Sequence, residues 1–490
     1  MSETAAITAP LVIIVFLGIL LTAGYLYFVR KGPAFTAKYK LFGLSPPPKV
    51  KANGFTAPGY ERLKELIQKE FEDGYDFGSQ FAAYVNGELV ADIASGFTDQ
   101  SYTTPYTPYN LQLVFSSSKF VTSSVFLHLV NTSRINLDDL VTKYWPEFGA
   151  GNKHNVTVAQ ILHHRGGVAY LDKDRVPTPE DLVNLDVLAQ KIAAQPHNFN
   201  GAEVSAYHAV TRGWFLNEIV RRATGGKTIR DIMYDEVMPI INAKRAEGVE
   251  PFEFNYGIPD EPLERAEAVK AKLVKLSGFT LLQKIFFILT PRGLLKALGL
   301  YAIPQGLINA LLKKGSPQNN SLFRSGPDFT GREKEFPWNY NDETLLHSQS
   351  PSFACLTNAR SLAHLAEQLR KSHISDTDGL ISKATFAEGM ESMKLLHDEV
   401  LDAEIQFLKI GFAKLNHGFG AEGYGSYVAT DVCFYGWSGA GGSIVCFDLE
   451  YGISFSYAMN FCHHQTIGDQ RSWILIEELV RVVKELRRVG

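Results

Sequence analysis

The sequence predicts an α+β fold, with an antiparallel sheet flanked by terminal helices, a mainly helical lobe, and one N-terminal transmembrane helix ahead of both. Strand patterns lie near both ends of the main part of the chain and helical patterns lie between them, which is typical of this class. The length of 490 residues and the ordinary composition, 45% hydrophobic and 20% charged, suit one large domain or a domain with insertions. The net charge of −4 does not indicate a nucleic-acid partner.

The first half of the predicted sheet follows a helix. Tyr60–Glu72 has apolar residues at helical spacing, which predicts that helix. Two strands follow, Ser79–Val85 and Glu88–Ala94, and the dipeptide Asn86-Gly87 lies between them. Because this dipeptide favours a two-residue hairpin turn, the two strands should pair antiparallel.

Strand patterns return near the C-terminus and precede a last amphipathic helix. The predicted strands are Tyr427–Phe434, Gly442–Asp448 and Ser454–Asn460, and the predicted helix is Trp473–Leu486. Helical patterns dominate the chain between the two strand regions. The terminal strands should form one sheet carrying the first and last helices, and the helical middle should form a second lobe. The cleft between the lobes is the expected functional site.

The stretch Ala5–Val29 contains no charged residue. As a helix it would extend about 37 Å, enough to cross a bilayer with some tilt. The alternative, a cleaved signal peptide, should begin with basic residues, which are absent here. We expect a single-pass anchor over residues 1–30, with the basic residues after it holding the main domain on the cytoplasmic side. A Pro-rich linker, 31–57, should then lead to a domain over 58–490.

The segment 278–314 is rich in Leu, Ile and Phe and is interrupted by basic residues and prolines. These interruptions argue against a second membrane span. The pattern fits a pair of apolar helices, for which two interpretations stay open. They are core helices, or they form a lid or membrane-surface element beside the site that accepts lipid-like substrates.

Ser116 and Lys119 are the first candidate catalytic pair, and they lie at the start of a predicted helix. A Lys three residues after a Ser shares its helix face, so its amine can reach the hydroxyl and take its proton. Burial and the helix N-terminus both disfavour the ammonium form, so the amine can be neutral near pH 7. The free N–H groups of the first turn could also bind an oxyanion. The S-x-x-K spacing alone fits equally well a run of serines that caps an ordinary helix.

Two later stretches could complete such a site. Tyr207 precedes a helical run and could act as a general acid or base if a nearby cation lowers its pKa; the alternative is a core tyrosine. Residues 436–443 read Gly-Trp-Ser-Gly-Ala-Gly-Gly-Ser and enter a predicted strand. Glycines there let a ligand approach the backbone, and an edge N–H could serve as a second oxyanion donor. The alternative for this stretch is a plain turn.

The order of these motifs resembles the serine β-lactamase-related family, in which S-x-x-K is followed by a Tyr motif and a late-strand K-T-G or its equivalent. Residues 157–167 and 352–360 also resemble family segments. The resemblance extends to class C β-lactamases, DD-peptidases and family VIII carboxylesterases, and is strongest to animal β-lactamase-domain-containing proteins. It covers roughly residues 55 to 485, with a predicted insertion near 243–345.

The resemblance implies a role for each matched residue. Ser116 would be the acylated nucleophile and Lys119 its base. Tyr207 would relay the proton to the leaving group and activate the deacylating water. The N–H groups of Ser116 and Ala440 would form the oxyanion hole. The substrate-binding segment in place of K-T-G would be Trp437, Ser438 and Gly439.

Two departures from the family pattern narrow the expected substrate. Ala209 stands where penicillin-recognising members have an Asn that holds the substrate amide, and Trp437 replaces a Lys that would meet the β-lactam carboxylate. The sequence therefore predicts a membrane-anchored serine hydrolase for ester, small-amide or lipid-like substrates, or an acyl transferase, rather than a physiological β-lactamase. A catalytically idle scaffold and a peptidase are the alternatives.

No cofactor or metal is expected. The sequence contains no phosphate loop, no C-x-x-C and no H-E-x-x-H. The pairs His163-His164 and His463-His464 direct adjacent side chains apart, which is poor geometry for one metal ion.

Overall fold

The computed structural model describes residues 49–72, 76–99, 101–257, 313–328, 347–415, 432–462 and 470–489, with isolated positions at 18, 270, 274–275, 341–342 and 344. Within these residues the chain has the predicted α+β architecture. No helix in this described part is both long enough and apolar enough to cross a bilayer. The predicted anchor, residues 5–29, lies outside the described residues apart from Gly18, and most of the 278–314 segment lies outside them too.

The strands of the described residues come from both ends of the chain. They are β1 (Asn53–Thr56), β2 (Gly78–Val85), β3 (Glu88–Gly96), β4 (Gln112–Leu113), β5 (Phe254–Asn255), β6 (Val274–Lys275), β7 (Leu356–Thr357), β8 (Leu396–Asp398), β9 (Ala403–Ile405), β10 (Ala413–Leu415), β11 (Phe434–Ser438), β12 (Ile444–Phe447), β13 (Ile453–Met459) and β14 (Phe461–Cys462). A seven-stranded antiparallel sheet has the order β1-β3-β2-β13-β12-β11-β10. It unites the early and late strands, as the sequence predicted.

The helices fill the middle of the chain and its end. They are α1 (Glu61–Glu72), α2 (Ser118–Asn131), α3 (Val141–Tyr144), α4 (Val158–Leu162), α5 (Pro179–Val183), α6 (Leu185–Ala193), α7 (Thr211–Ala223), α8 (Ile229–Ile232), α9 (Met238–Ala243), α10 (Pro317–Arg324), α11 (Ala359–Ile374), α12 (Lys383–Gly389) and α13 (Gln470–Val489). A π-helical turn joins α8 to α9. One large hydrophobic cluster runs through the sheet and the helical lobe, so the two share a core.

The sheet is covered by helices on both faces. On one face Ser454 of β13 donates a hydrogen bond to Glu367 of α11, over 2.9 Å. Tyr457 lies three residues further along β13 and so points to the opposite face. There its hydroxyl bonds Asp76, which also pairs with Arg471 of α13 at 3.0 Å. The terminal helices α1 and α13 pack against each other.

The hairpin prediction is confirmed and one strand prediction is wrong in position. Asn86 and Gly87 both have positive φ, 51° and 94°, which is the conformation that a tight two-residue turn requires. The strand predicted over Tyr427–Phe434 begins instead at Phe434 and continues to Ser438. Residues 427–431 of that prediction lie outside the described residues.

Two predicted segments have structure of their own. The range 31–57 was predicted as a linker, but β1 at its end pairs with β3 and forms the edge of the sheet. The predicted insertion, 243–345, contributes β5, which pairs with β7, and also α10. Its β6 runs parallel to β14.

Candidate active site

The turn that carries Ser116 connects β4 to α2. Phe115 takes a left-handed conformation there, with φ of 48°, which is costly for a bulky residue and is held by the core around it. Ser117 shares a 3.0 Å hydrogen bond with Ser443, and the Ser118 hydroxyl accepts one from the Cys355 N–H, also at 3.0 Å. Of the three consecutive serines, Ser116 is therefore the one whose hydroxyl faces the other candidate catalytic groups.

Lys119 lies one helical turn after Ser116 and is only 1% exposed. Its Nζ is 3.3 Å from the Ser116 Oγ. The amine donates hydrogen bonds to two backbone carbonyls, Ala209 O at 2.5 Å and Ser352 O at 3.0 Å. Burial, reinforced by the positive charge of Arg212, holds the pKa of Lys119 well below its usual value. The neutral amine predicted from the sequence is therefore supported, with burial as its main cause.

Tyr207 reaches Ser116 from the loop before α7. Its hydroxyl donates a hydrogen bond to Ser116 Oγ over 2.8 Å and accepts one from Trp437 Nε1 over 3.3 Å. The Lys119 Nζ lies 4.8 Å from the centre of its ring. The sequence made acid–base action of Tyr207 conditional on a cation that lowers its pKa, and in net direction this condition is not met. Burial outweighs the hydrogen bonds and nearby charge, and raises the pKa to about 12.

These four side chains form a hydrogen-bonded row with one consistent direction. A neutral amine has two N–H donors and one lone pair. The two donors of Lys119 are taken by the carbonyls of Ala209 and Ser352, so its lone pair is left for the Ser116 hydroxyl. Trp437 then donates to Tyr207, Tyr207 to Ser116, and Ser116 to Lys119. The arrangement is that of a serine whose proton has an acceptor in place.

The end of β11 packs directly against the Ser116 turn. A Cβ on Gly439 would lie 2.4 Å from the Val114 carbonyl oxygen and 3.0 Å from the Ser116 nitrogen, so only glycine fits there. Gly439 also donates a backbone hydrogen bond to Ser443 O at 2.7 Å. Ser438 is buried beside it, and Ala440 follows at the partly exposed edge. The predicted oxyanion donors are the N–H groups of Ser116 and Ala440. Because of this close approach, they belong to adjacent backbone segments.

Asp398 holds the Tyr207 loop and was not found from the sequence. Its Oδ1 accepts the N–H groups of Tyr207, Val400 and Leu401 at 2.9 to 3.0 Å, and its Oδ2 accepts the Ser205 hydroxyl at 3.0 Å. The carboxyl is fully buried, and burial raises its pKa even though these bonds oppose the rise. The residue comes some 190 positions after the loop it holds, so no local pattern marks it.

The ring of His164 packs against the ring of Tyr207. The two ring centres are 4.8 Å apart, and the His164 Nδ1 accepts the N–H of His208 over 3.0 Å. Burial, followed by the charge of Arg212, keeps the pKa of His164 well below its usual value, so the ring is neutral. His164 belongs to a segment in which the sequence indicated family resemblance, but its contact with Tyr207 had no sequence signal.

Arg212 is a buried cation behind the candidate base. Its guanidinium is 0% exposed and bonds only neutral oxygens, Leu162 O at 2.9 Å and Ser123 Oγ at 2.8 Å among them. Its Nη1 has no hydrogen-bond partner among the described residues. Burial lowers its own pKa to about 9. A buried positive charge without a carboxylate partner in the described part of the chain disfavours a second one on Lys119.

The two predicted departures from penicillin-recognising enzymes both adjoin the site. Ala209 contributes its carbonyl to Lys119, and its methyl group offers no hydrogen bond to a substrate. Trp437 contributes its N–H to Tyr207, where the family's Lys would present a charge. Its ring also packs against Phe407, with ring centres 5.5 Å apart. Among the described residues, the surroundings of Ser116 are therefore aromatic, and position 437 offers an indole N–H instead of the charge of a Lys.

Comparison with known sequences gives a partial match to one family. The sequence profile described as Beta-lactamase matches residues 64–251. The Esterase/beta-lactamase LipL of Mycobacterium tuberculosis is 33% identical over 161 residues, which are 33% of this chain. That match spans 36% of LipL, so this chain covers about a third of that relative. The curated relatives that match include proteins of Mycobacterium, Bacillus and Staphylococcus and do not support the expected similarity to animal proteins.

Solved structures match over most of the chain. A penicillin-binding protein homologue from Caulobacter crescentus superposes with a TM-score of 0.69 at 26% identity, covering 88% of this chain and 100% of that one. A family VIII carboxylesterase also has a TM-score of 0.69 over 88% of this chain and 100% of its own, at 23% identity, which supports the fold alone. The prediction of a serine hydrolase related to β-lactamases is confirmed at this level. The chain has the fold of the β-lactamase-like serine hydrolases, and residues 64–251 match the Beta-lactamase profile.

Proposed function

We propose that the protein hydrolyses small carboxylic esters or small amides through an acyl-enzyme on Ser116. The observation that carries this proposal is the hydrogen-bonded row from Trp437 through Tyr207 and Ser116 to Lys119. Every donor in the row has one acceptor when Lys119 is neutral and Tyr207 is protonated. Those are the protonation states that the shifted pKa values of the two groups favour near pH 7.

Acylation follows from these starting states. The Ser116 Oγ attacks the substrate carbonyl carbon while its proton passes to the lone pair of Lys119. The oxyanion would be bound by the N–H groups of Ser116 and Ala440. As the carbonyl re-forms, the leaving alkoxide or amine takes the proton of Tyr207. The resulting phenolate lies near the new Lys119 ammonium and accepts the Trp437 N–H, and both contacts stabilise its charge.

Deacylation restores the resting states. The Tyr207 phenolate takes a proton from water, and the hydroxide attacks the acyl carbon. The Ser116 oxygen leaves and recovers its proton from the Lys119 ammonium, so both bases return to their starting forms. An alcohol that takes the place of water would receive the acyl group, which is the acyl-transfer version of the same step.

Esters are favoured over β-lactams by the residues around the row. Ala209 has no side chain that could bind the amide of a penicillin, and Trp437 has no charge that could bind its carboxylate. The loss of these two contacts should weaken penicillin binding by several kcal/mol. LipL is named an esterase as well as a β-lactamase, and this name supports the ester assignment.

We further propose that residues 5–29 anchor the protein in a membrane with the catalytic domain on the cytoplasmic side, and that 278–314 contact lipid-like substrates there. The support is the uncharged stretch and the apolar, basic-dotted segment in the sequence. Deleting 278–314 from the anchored protein should lower kcat/KM for long-chain esters more than for acetate esters. Equal losses on both, with a lower melting temperature, would instead identify a core element.

Labelling with a fluorophosphonate probe tests the nucleophile directly. We expect one covalent adduct on Ser116, lost in Ser116→Ala and kept in the matched control Ser117→Ala. Ester hydrolysis should fall on the order of 10⁴-fold in Ser116→Ala, and Lys119→Ala should fall almost as far because the residues act as a unit. A folded wild type that neither labels nor turns over esters would favour an idle scaffold. Faster turnover of peptides than of esters would identify a peptidase.

A further inference from the structure

A cavity away from Ser116 lies between the β2–β3 hairpin, the helix α11 and the segment that follows α9. It has a volume of about 460 Å³, within the range of small-molecule sites. None of the residues that surround Ser116 lines it. On α11 its wall is formed by residues four apart, which share one face of the helix: Arg360, His364 and Gln368.

Arg360 is a buried cation at one end of this wall. It is 5% exposed, and its guanidinium lies over the ring of Phe252 at 5.6 Å. The Nε is 3.3 Å from Asp92 Oδ2 in an ion pair, although not in hydrogen-bond geometry. The Nη1 is buried and has no hydrogen-bond partner among the described residues. Buried guanidinium donors are normally bonded, so this one has an unused capacity for an oxyanion.

Gln368 supplies a second unused polar group further along the wall. Its Nε2 is 3.3 Å from His364 Nε2, and the other nitrogen of that ring is 3.2 Å from the Tyr84 hydroxyl. Burial lowers the pKa of His364 to about 3, so the ring is neutral and stacks on Phe252 at 4.0 Å. The Gln368 Oε1 is buried without a partner in the described chain. If the oxygen and nitrogen of the Gln368 amide are exchanged, one of them still pairs with His364 and the other still has no partner among the described residues.

Asp92, the buried carboxylate that lines the cavity, pairs with Arg360, and the other acidic residues of the lining are bonded elsewhere or exposed. Glu367 receives two hydrogen bonds from Arg370, at 2.7 and 2.8 Å, and a third from Ser454. Lys371 at the far end makes no ion pair with any described residue, and its Nζ lies beside Gly87. The remaining carboxylates at the rim, Glu88 and Asp378, are exposed and therefore screened by water.

We propose that this cavity is a binding site for an elongated small organic anion. A carboxylate or phosphate head would accept hydrogen bonds from Arg360, and the body of the ligand would lie along His364. A polar group at its other end would pair with the Gln368 amide. Arg360 and Gln368 are eight residues apart on α11, so they are separated by about 12 Å along the helix axis. A ligand that contacts both should have about this length or less. The proposal is independent of the reaction at Ser116.

Calorimetric titration of the whole protein tests the site, with 6-hydroxyhexanoate and 6-hydroxyhexyl phosphate as probes and 1,6-hexanediol as the uncharged control. The two anions distinguish a carboxylate site from a phosphate site. We expect saturable binding of at least one anion with Kd of about 1 mM or tighter, and none of the diol. Binding in Ser116→Ala should be unchanged, because that residue does not line the cavity.

Variants locate the binding within the molecule. Arg360→Gln should raise Kd by about tenfold or more. Because this change also removes the contact with Asp92, Ala246→Trp provides a second variant. It fills the cavity mouth from an exposed position and should abolish binding, whereas Ala243→Trp, exposed on α9 outside the lining, should not. Absence of saturable binding by both anions, or equal binding by wild type and Ala246→Trp, would overturn the proposal.

Discussion

The indole N–H of Trp437 donates a hydrogen bond to the hydroxyl oxygen of Tyr207 over 3.3 Å, and the two ring centres are 5.4 Å apart. A donor aimed at this oxygen stabilises the phenolate more than the phenol, so it lowers the pKa of Tyr207 against the stronger effect of burial. Trp437 therefore has an electrostatic function at the position where penicillin-recognising relatives carry a Lys.

Trp437→Phe isolates that function, because it removes the donor and keeps an aromatic ring against Phe407. We expect kcat for ester hydrolysis to fall about tenfold, since the phenolate formed during acylation loses one hydrogen bond. The pKa of Tyr207, which burial already raises to about 12, should rise further. Steady-state kinetics at neutral pH measure the fall in kcat. An unchanged kcat would mean that the Trp437 N–H does not act in the reaction.

Asp398 positions Tyr207, and its two variants should differ. Asp398→Ala leaves the buried N–H of Tyr207 and the part-buried N–H groups of Val400 and Leu401 without this acceptor. We therefore expect the free energy of unfolding to fall by about 2–4 kcal/mol and kcat to fall with little change in KM. Asp398→Asn keeps an oxygen for those N–H groups and a donor toward Ser205. Asp398→Asn should therefore keep most of the wild-type free energy of unfolding and most of the wild-type kcat. Chemical denaturation and ester kinetics provide the measurements, and equal damage from Asn and Ala would show that the charge itself is needed.

The fold was predictable where its signals are local. The Asn86-Gly87 turn, the amphipathic first and last helices, and the alternation in the late strands each depend on neighbours in the sequence. The strand β11 was misplaced because Gly436 and Ser438 have low strand propensity. Its backbone is held in the sheet by pairing with β10 and β12, which a local pattern does not contain.

The site was predictable only in part for the same physical reason. Ser116 and Lys119 are three residues apart, so helix geometry alone brings them together. The carbonyl of Ser352 meets Lys119 across 233 residues, and Asp398 meets Tyr207 across 191. Such contacts are set by how the lobes pack. The net rise in the pKa of Tyr207 was not foreseen, because the depth of its burial could not be read from the loop sequence.

Gly439→Ala tests the close approach of β11 to the nucleophile turn. The new methyl group would lie 2.3 Å from the Ser443 Oγ and 2.4 Å from the Val114 carbonyl, so the strand end or the Ser116 turn must move. We expect kcat to fall about 100-fold through displacement of an oxyanion donor. Wild-type kcat in Gly439→Ala would contradict the proposed placement of the oxyanion hole.

Arg212 should influence the pH at which the acidic limb of the pH–rate profile lies, because its charge lowers the pKa of Lys119. The reaction needs the neutral amine, so kcat/KM should rise as pH rises through the pKa of Lys119. The positive charge of Arg212 lowers that pKa, so Arg212→Gln should raise it and move the acidic limb to higher pH. Activity at pH 7 should then fall by up to about tenfold and recover at higher pH.

Arg212→Lys separates charge from structure in the same experiment. Both variants lose guanidinium hydrogen bonds to Leu162 and Ser123, so both should have lower melting temperatures than the wild type. Arg212→Lys keeps a titratable cation behind Lys119 and Arg212→Gln does not, so the acidic limb should lie nearer its wild-type pH in Arg212→Lys than in Arg212→Gln. If both variants lose activity by the same factor at every pH, Arg212 acts on the fold alone and burial suffices to keep Lys119 neutral.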